Sequence, residues 1–126
     1  MTFLGTVNRD QLLKILSNTK IGIVRPSTSG LAETFCLSAI DFGSCGIPVI
    51  GANKGGLKDT IPKKCGYRIK NKKQLYKKIL LLLNNESKRQ QFGNNYYHFV
   101  SSNFSDIDFT KNFMSLINNI ENNNFI

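Results

Sequence analysis

The sequence predicts an α/β fold: a three-layer unit with short parallel strands and a helical C-terminal part. Short apolar runs alternate with amphipathic segments over residues 1–70, a pattern typical of βαβ units around a parallel sheet. Over residues 71–126 the apolar residues instead recur at helical spacing. We therefore expect a single domain over 1–126, with a βαβ core over 1–70 and C-terminal helices over 71–126.

Short apolar runs predict the strands, at residues 1–7, 21–24, 48–50 and 66–69. The run at 21–24 is rich in β-branched residues and suits a buried parallel strand. Parallel sheets of this Rossmann-like kind bind ligands at the carboxyl ends of their strands. The loops that follow Val24 and Ile50 are therefore the expected positions of a ligand site.

Helix signals fill the remaining segments. Asn8 and Gln11 form a capping-box pattern ahead of the first helix. A second helix is predicted over 34–44, with Leu37 and Ile40 turned inward, and Gly46 is suited to end it. Residues 58–61 fit one helical turn. Three C-terminal helices follow, and Ser105 with Asp108 caps the third. The first carries the apolar stripe Leu75, Ile79 and Leu82, and the second carries Phe92, Tyr96 and either Phe99 or Val100. The stripe of the third is Phe109, Phe113, either Leu116 or Ile117, and Ile120.

The charge balance favours a polyanionic partner. Seventeen Lys and Arg face eight Asp and Glu, for a net charge of +9, and ten of the basic residues lie between Lys54 and Lys78. Such a surface attracts nucleotide diphosphates, nucleic acid or an anionic membrane surface. An ordinary solvated basic face is the simpler interpretation.

Cysteine and histidine usage excludes a recognisable metal site. Cys36, Cys45 and Cys65 form no C-x-x-C pair, and His98 is the one histidine. We expect no metal and no resident cofactor, cysteines that act as small core residues, and a reducing, cytoplasmic setting. The longest apolar run, residues 79–83, is too short to span a bilayer.

The loop that enters the second helix carries the expected chemistry. A helix N-terminus offers backbone N–H groups and partial positive charge, which together suit a phosphate. Glu33 stands just before this helix and Asp41 lies eight residues later. Two ionised carboxylates at this spacing could grip hydroxyl groups on separate parts of one extended ligand. Alternatively, Glu33 complements the helix dipole and Asp41 is an exposed helical residue.

These residues occur within a longer pattern that resembles a known family. The matching positions, in order, are Pro26-Ser27, Glu33-x-Phe35-x-Leu37, Ala39-x-Asp41, Gly43-x-x-Gly46-x-Pro48-Val49-Ile50 and Gly55-Gly56-x-x-Asp59. The pattern is similar to the signature of retaining GT-B glycosyltransferases of the GT4-like group (glycosyl transferases group 1). Phe3-Leu4-Gly5-x-Val7 and Phe104-Ser105 resemble the opening strand and the closing helix of the same donor-binding domain.

The resemblance implies half of a GT-B fold that binds a UDP-, GDP- or ADP-sugar. It implies that Glu33 contacts the donor sugar near the anomeric centre, as the catalytic residue, and that Asp41 holds the ribose. The donor-binding residues that it implies are Glu33, Thr34, Phe35, Cys36, Leu37, Asp41, Gly55 and Gly56, with the backbone around Phe35 to Leu37 facing the diphosphate.

The sequence departs from the family pattern at three of these positions. Asp41 replaces a glutamate, and Thr34 and Cys36 stand where the family usually has glycine, whose lack of Cβ allows close approach to phosphate. The family's basic phosphate clamp and its N-terminal acceptor domain are not in this sequence. We therefore expect a truncated chain or one part of a split enzyme, inactive alone, with an N-terminal acceptor-domain chain as its partner.

Two other functions remain open. A nucleic-acid-binding module would use the net charge, with Tyr96 and Tyr97 as stacking rings, although Tyr96 fits the core stripe better. A membrane-surface subunit without catalysis would use the helix over 72–83, in which lysines alternate with leucines, as in helices that lie on anionic lipid. This second function is compatible with a peripheral membrane location of the transferase.

Overall fold

The computed structural model describes residues 2–24 and 34–122. Within these ranges the chain forms three strands and six helices. In chain order they are α1 (Arg9–Ser17), β1 (Gly22–Val24), α2 (Leu37–Ser44), β2 (Val49–Ala52), α3 (Leu57–Thr60), β3 (Gly66–Ile69), α4 (Lys72–Leu83), α5 (Glu86–Asn103) and α6 (Asp106–Asn122).

The three strands form one parallel sheet in the order β1-β2-β3. In its register Gly22 is opposite Val49, and Val49 is opposite Gly66. In the central strand, β2, the side chains of Val49 and Ile50 are both fully buried. The parallel α/β sheet predicted from the sequence is therefore confirmed.

Helices cover both faces of the sheet, which makes three layers. On one face, Val49 shares a buried cluster with Ala39 of α2 and with Tyr96 of α5. On the other face, Ile50 packs with Leu82 of α4 and Phe92 of α5. Because successive strand residues point to opposite faces, two adjacent residues of β2 are enough to anchor both layers.

Helices α2 and α5 approach each other closely at two glycines. A Cβ at Gly43 would lie 2.6 Å from the Val100 side chain and 2.9 Å from the Tyr96 ring. A Cβ at Gly93 would overlap the carbonyl oxygen of Gly46. Gly46 has a φ of +66° and ends α2 in the left-handed conformation that glycine favours. The backbone of α5 therefore lies directly against the end of α2.

The hydroxyl group of Tyr96 ties α5 to a third helix. It donates a 2.7 Å hydrogen bond to the carbonyl oxygen of Thr60, the last residue of α3, inside the core. Burial raises the pKa of Tyr96 far above its ordinary value, and the nearby Cys65 and Cys36 thiols add to this effect. Tyr96 thus lies in the core, as its place in the apolar stripe predicted.

The capping signals predicted at α1 and α6 are confirmed, and α4 and α5 are capped by asparagines as well. Asn8 and Gln11 form both hydrogen bonds of a capping box at α1. Asn71 and Asn85 cap α4 and α5 with their side chains. Ser105 accepts a hydrogen bond from the Asp108 amide at the start of α6.

The predicted strand over 1–7 is wrong for the described residues 2–7, which form no strand. Gly5 has a φ of +64° and interrupts the extended backbone. Phe3 is 91% exposed, so no element in the described ranges packs over its side chain. A strand needs a hydrogen-bonded neighbour, and the short β1 pairs with β2 alone among the described residues.

Three smaller predictions also need correction. Helix α2 begins at Leu37 and not at Thr34, because Cys36 is still extended. Leu37 is 68% exposed and does not turn inward. Cys45 is exposed, whereas Cys36 and Cys65 are core residues as expected.

Helix α6 carries the predicted apolar stripe but does not bury it. Phe109 and Phe113 stack with their ring centroids 5.9 Å apart, yet α6 has no buried residue. Its apolar face is therefore uncovered by the described part of the chain.

We predict that Gly93→Ala destabilises the fold. Alanine favours a helix by about 1 kcal/mol over glycine, but its Cβ would overlap the backbone of Gly46. Overpacking of this kind costs roughly 1–3 kcal/mol or more, so we expect a net loss of unfolding free energy in urea titrations. Asn94→Ala, at the exposed neighbouring position of α5, is the control and should change stability little. Equal stability of the Gly93→Ala variant and the wild type would contradict the contact.

A second prediction concerns pH. Burial raises the pKa of the Cys65 thiol from 9.0 to about 11. Because the pKa of Cys65 is higher in the folded than in the unfolded state, the unfolding free energy is at its full value below pH 9.0. It decreases as the pH rises toward 11, where the unfolded chain is stabilised by losing the thiol proton. We expect the unfolding free energy to fall by roughly 1 kcal/mol more between pH 8 and 10 in the wild type than in Cys65→Ala.

The control for this pH effect is Cys45→Ala, which changes an exposed thiol and should keep the wild-type pH dependence. An undiminished decline in Cys65→Ala would show that another group causes it.

Candidate functional site

The carboxyl edge of the sheet brings two of the predicted segments together. Helix α2 follows β1 and leads back to β2, so it begins at the edge where β1 ends. Val24 at the end of β1, Cys36 before α2 and Leu57 at the start of α3 all belong to one buried cluster. The segment 34–37 and the turn before α3 therefore lie at the same edge, where parallel sheets bind their ligands.

The start of α2 differs from the starts of α1, α4 and α5. Cys36 is its N-cap residue, with φ −96° and ψ 91°, and its side chain forms no capping hydrogen bond. Its carbonyl oxygen accepts hydrogen bonds from the amides of Ala39 and Ile40, at 3.0 and 3.3 Å. The first amides of a helix have no partner within the helix, and at α2 no asparagine side chain caps them as at the other three.

The Cys36 side chain points into the core and not toward solvent, with 8% of its surface exposed. The neighbouring Thr34 is exposed. Of the two residues that stand where the family has glycine, only Thr34 therefore presents its side chain at the surface of this edge.

A series of aromatic contacts packs the segment before α2 against α5. The Phe35 ring lies edge-on to Phe104, with centroids 5.5 Å apart. Phe104 in turn meets Phe99 of α5 at 5.6 Å, and Phe99 lies 6.3 Å from Tyr96. The contact between Phe35 and Phe104 joins residues 69 positions apart in the chain, so local sequence could not place Phe104 at the site. Its apolar character just after the polar end of α5 was the available signal.

Asp41 lies on the solvent side of α2 and is exposed. It is one turn beyond Leu37, or about 6 Å along the helix axis. Its carbonyl oxygen accepts bonds from the Cys45 amide and the Ser44 hydroxyl, whereas its carboxylate faces outward. Glu33 lies outside the described residues.

The turn between β2 and α3 contains the two predicted glycines. Gly55 has a φ of +50°, a conformation that side chains rarely tolerate. Gly56 is the N-cap residue of α3, and its carbonyl oxygen accepts the Thr60 amide and hydroxyl, both at 3.0 Å. The first glycine therefore gives the turn its shape, and the second starts the short helix.

Basic residues surround this turn. Lys54 within it and Lys58 on α3 are both exposed. Arg68 of β3 donates a 2.9 Å hydrogen bond to the carbonyl oxygen of Lys58, so that a third positive charge lies beside α3. The position of Arg68 could not be predicted from its local sequence, because its proximity to this turn depends on the pairing of β2 with β3.

A separate cleft of about 360 Å³ lies beside α1. None of the predicted site residues lines it. Its lining residues are Leu4, Thr6, Val7, Gln11, Lys14 and Ile15.

Over residues 2–24 and 34–122, no three His, Cys, Asp or Glu side chains are grouped so that they could hold a metal ion. None of the helices in these ranges is long and apolar enough to cross a membrane.

Comparison with known proteins adds a family. Residues 1–99 match the family model of the glycosyl transferases group 1. No curated protein sequence gives a significant match.

Three solved structures share the fold. Sucrose-phosphate synthase from Thermosynechococcus elongatus is 27% identical, with a TM-score of 0.79 over 94% of this chain. HepE from Anabaena, solved in complex with UDP, is 17% identical, with a TM-score of 0.76 over 88%. The C-terminal domain of the group 1 glycosyl transferase LpcC from Francisella tularensis is 18% identical, with a TM-score of 0.66 over 84%.

The chain spans 30% of the first two of these structures and 53% of the third. It therefore corresponds to part of a GT-B glycosyltransferase.

Proposed function

Because the chain belongs to the glycosyl transferases group 1 family, we propose that it binds the nucleotide-sugar donor of a retaining glycosyl transfer. The observation that carries this proposal is the position of the start of α2, which lies beside a glycine turn at the carboxyl edge of the sheet. The UDP complex of HepE supports a nucleoside diphosphate as the shared part of the ligand. UDP-, GDP- and ADP-sugars are the candidate donors.

The diphosphate would occupy the N-terminus of α2. Backbone amides from Phe35 to Leu37 would donate hydrogen bonds to its oxygens, with the helix dipole adding attraction. Gly55 would let the neighbouring turn approach, and Lys54 would supply positive charge. As the sugar leaves, negative charge grows on the diphosphate, and donors already in place stabilise that charge without reorganising. Because the Cys36 side chain is buried, it would not obstruct the phosphates.

The hydroxyl groups of the donor would be held by carboxylates. Asp41 is exposed one helical turn from the proposed phosphate position, a placement that suits a ribose adjoining the diphosphate. Ionised acceptors form the stronger hydrogen bonds with such hydroxyls. By the family resemblance, Glu33 would contact the sugar and act at the anomeric centre as the catalytic residue, with Thr34 beside it.

We also propose that catalysis needs an acceptor-binding domain, in the same polypeptide or in a partner chain. Phe3 and Leu4 are largely exposed, and so are Phe109 and Phe113 on α6. Apolar residues in this number are typical of surfaces that another domain covers. The isolated chain would therefore bind donor weakly and transfer little or no sugar.

The buried position of Tyr96 weighs against a nucleic-acid-binding module. Of the two tyrosines proposed as stacking rings, only Tyr97 is exposed, and its ring lies against His98 at 5.8 Å. Base stacking would need exposed rings along a basic groove. The donor-binding function is therefore the better supported of the two.

We predict that Asp41→Ala and Glu33→Ala each weaken donor binding about tenfold or more, because each removes a charge-assisted hydrogen bond worth roughly 1.5–3 kcal/mol. Calorimetric titration of the isolated chain with UDP-, GDP- and ADP-sugars would measure this loss. UDP without a sugar separates the two carboxylates, since Asp41→Ala should weaken its binding and Glu33→Ala should not.

The matched control for the donor titrations is Glu121→Ala, which removes one exposed carboxylate from α6 and should leave affinity unchanged. Wild-type affinity in both site variants would refute the proposed site.

A further inference from the structure

Helix α4 is apolar on two sides. Its inner side carries Leu82, which is fully buried, and Ile79, and both pack against the Ile50 cluster. This inner stripe is sufficient to pack the helix against the sheet. Yet Tyr76 and Leu83 remain 66% and 49% exposed, and Leu80 is also exposed.

These outer apolar residues form a second stripe. Positions 76, 80 and 83 follow the i, i+4, i+7 spacing that places side chains on one face of a helix. Leu80 lies on the opposite side of the helix from Leu82, because two residues are about 200° apart around the axis. No element in the described part of the chain buries this outer stripe.

Lysines flank the outer stripe. Lys72, Lys73 and Lys77 are exposed, and α4 contains no acidic residue. The surrounding sequence is equally one-sided, because eight Lys and Arg and no Asp or Glu lie between Asp59 and Glu86. Lys78 is placed differently, with its Nζ 4.1 Å from the centre of the Tyr67 ring.

We propose that this outer face of α4, formed by Lys73, Tyr76, Lys77, Leu80 and Leu83, binds the surface of an anionic lipid bilayer. Tyr76, Leu80 and Leu83 would enter the boundary between headgroups and acyl chains, while Lys73 and Lys77 extend to the lipid phosphates. An amphipathic ring such as that of Tyr76 suits this boundary. The proposal does not depend on donor binding, because it uses none of the proposed site residues.

Comparison with helix α6 shows that the lipid-binding proposal for α4 depends on charge as well as on apolar exposure. Helix α6 exposes Phe109, Phe113 and Leu116, but it carries three acidic residues and one basic residue, Lys111. An anionic surface would repel that balance. In the described ranges, α4 combines an exposed apolar stripe with purely basic flanks.

The same combination favours lipid over nucleic acid. Nucleic acid is bound through phosphates and stacked bases, and neither interaction uses Leu80 or Leu83. A bilayer rewards both parts of the surface, since each lysine gains from the anionic headgroups and each leucine from burial.

The test is sedimentation of the full chain with vesicles of phosphatidylcholine alone or mixed with phosphatidylglycerol. We expect binding to the mixed vesicles and little to the neutral ones. Lys73→Gln with Lys77→Gln should weaken binding about thirtyfold, at the usual contribution of a lysine near an anionic membrane. Leu80→Gln with Leu83→Gln should weaken it about tenfold or more.

Two matched double variants serve as controls. Lys14→Gln with Lys111→Gln removes the same charge from other exposed helical positions, and Ile107→Gln with Leu116→Gln removes two exposed aliphatic side chains from α6. Both should bind like the wild type, and circular dichroism would verify that every variant is folded.

The proposal is overturned if the chain ignores the mixed vesicles, if it binds neutral vesicles equally well, or if the controls lose as much binding as the α4 variants. It is also overturned if duplex or single-stranded DNA binds the chain, the lysine variant weakens that binding, and vesicles do not compete with it.

Discussion

The close contact between α2 and α5 fixes how these two helices pack at the candidate site. Gly93 lets the backbone of α5 lie against the carbonyl group of Gly46, and Gly43 leaves room for the Val100 and Tyr96 side chains of α5. Tyr96 then fills the space beside Gly43 and reaches the carbonyl group of Thr60 at the end of α3. One buried side chain therefore connects the helix that begins at the carboxyl edge with the helix that follows the glycine turn.

This arrangement also holds the irregular edge at the candidate site in place. The buried Cys36 side chain anchors the start of α2 in the core, and the Phe35–Phe104 contact packs the preceding residue against the end of α5. The turn at Gly55 is short and is tied to α3 by three hydrogen bonds to the carbonyl oxygen of Gly56. Precise placement of backbone donors is what electrostatic stabilisation of a leaving group requires.

Local signals in the sequence predicted most elements, and distant contacts account for the errors. The strand β3, the cap at Asn8 and the inner stripe of α4 were predictable because each depends on residues a few positions apart. The segment 2–7 was mistaken for a strand because its apolar content gives no information about whether a neighbouring strand will pair with it. At the candidate site, the family pattern predicts roles for Asp41 and Gly55, whereas Arg68 and Phe104 reach the edge only through strand pairing and helix packing.

The apolar surface that the described chain leaves uncovered is divided by charge. Helix α6 presents phenylalanines with a net acidic balance, and α4 presents leucines with four lysines and no acid. If both surfaces bound one acidic neighbour, or one basic neighbour, they would carry the same sign of charge. Their opposite signs favour two different neighbours over one neighbour of uniform charge, since an interface gains specificity when its potential complements that of its partner. A protein domain with basic or neutral groups suits α6, and an anionic lipid surface suits α4.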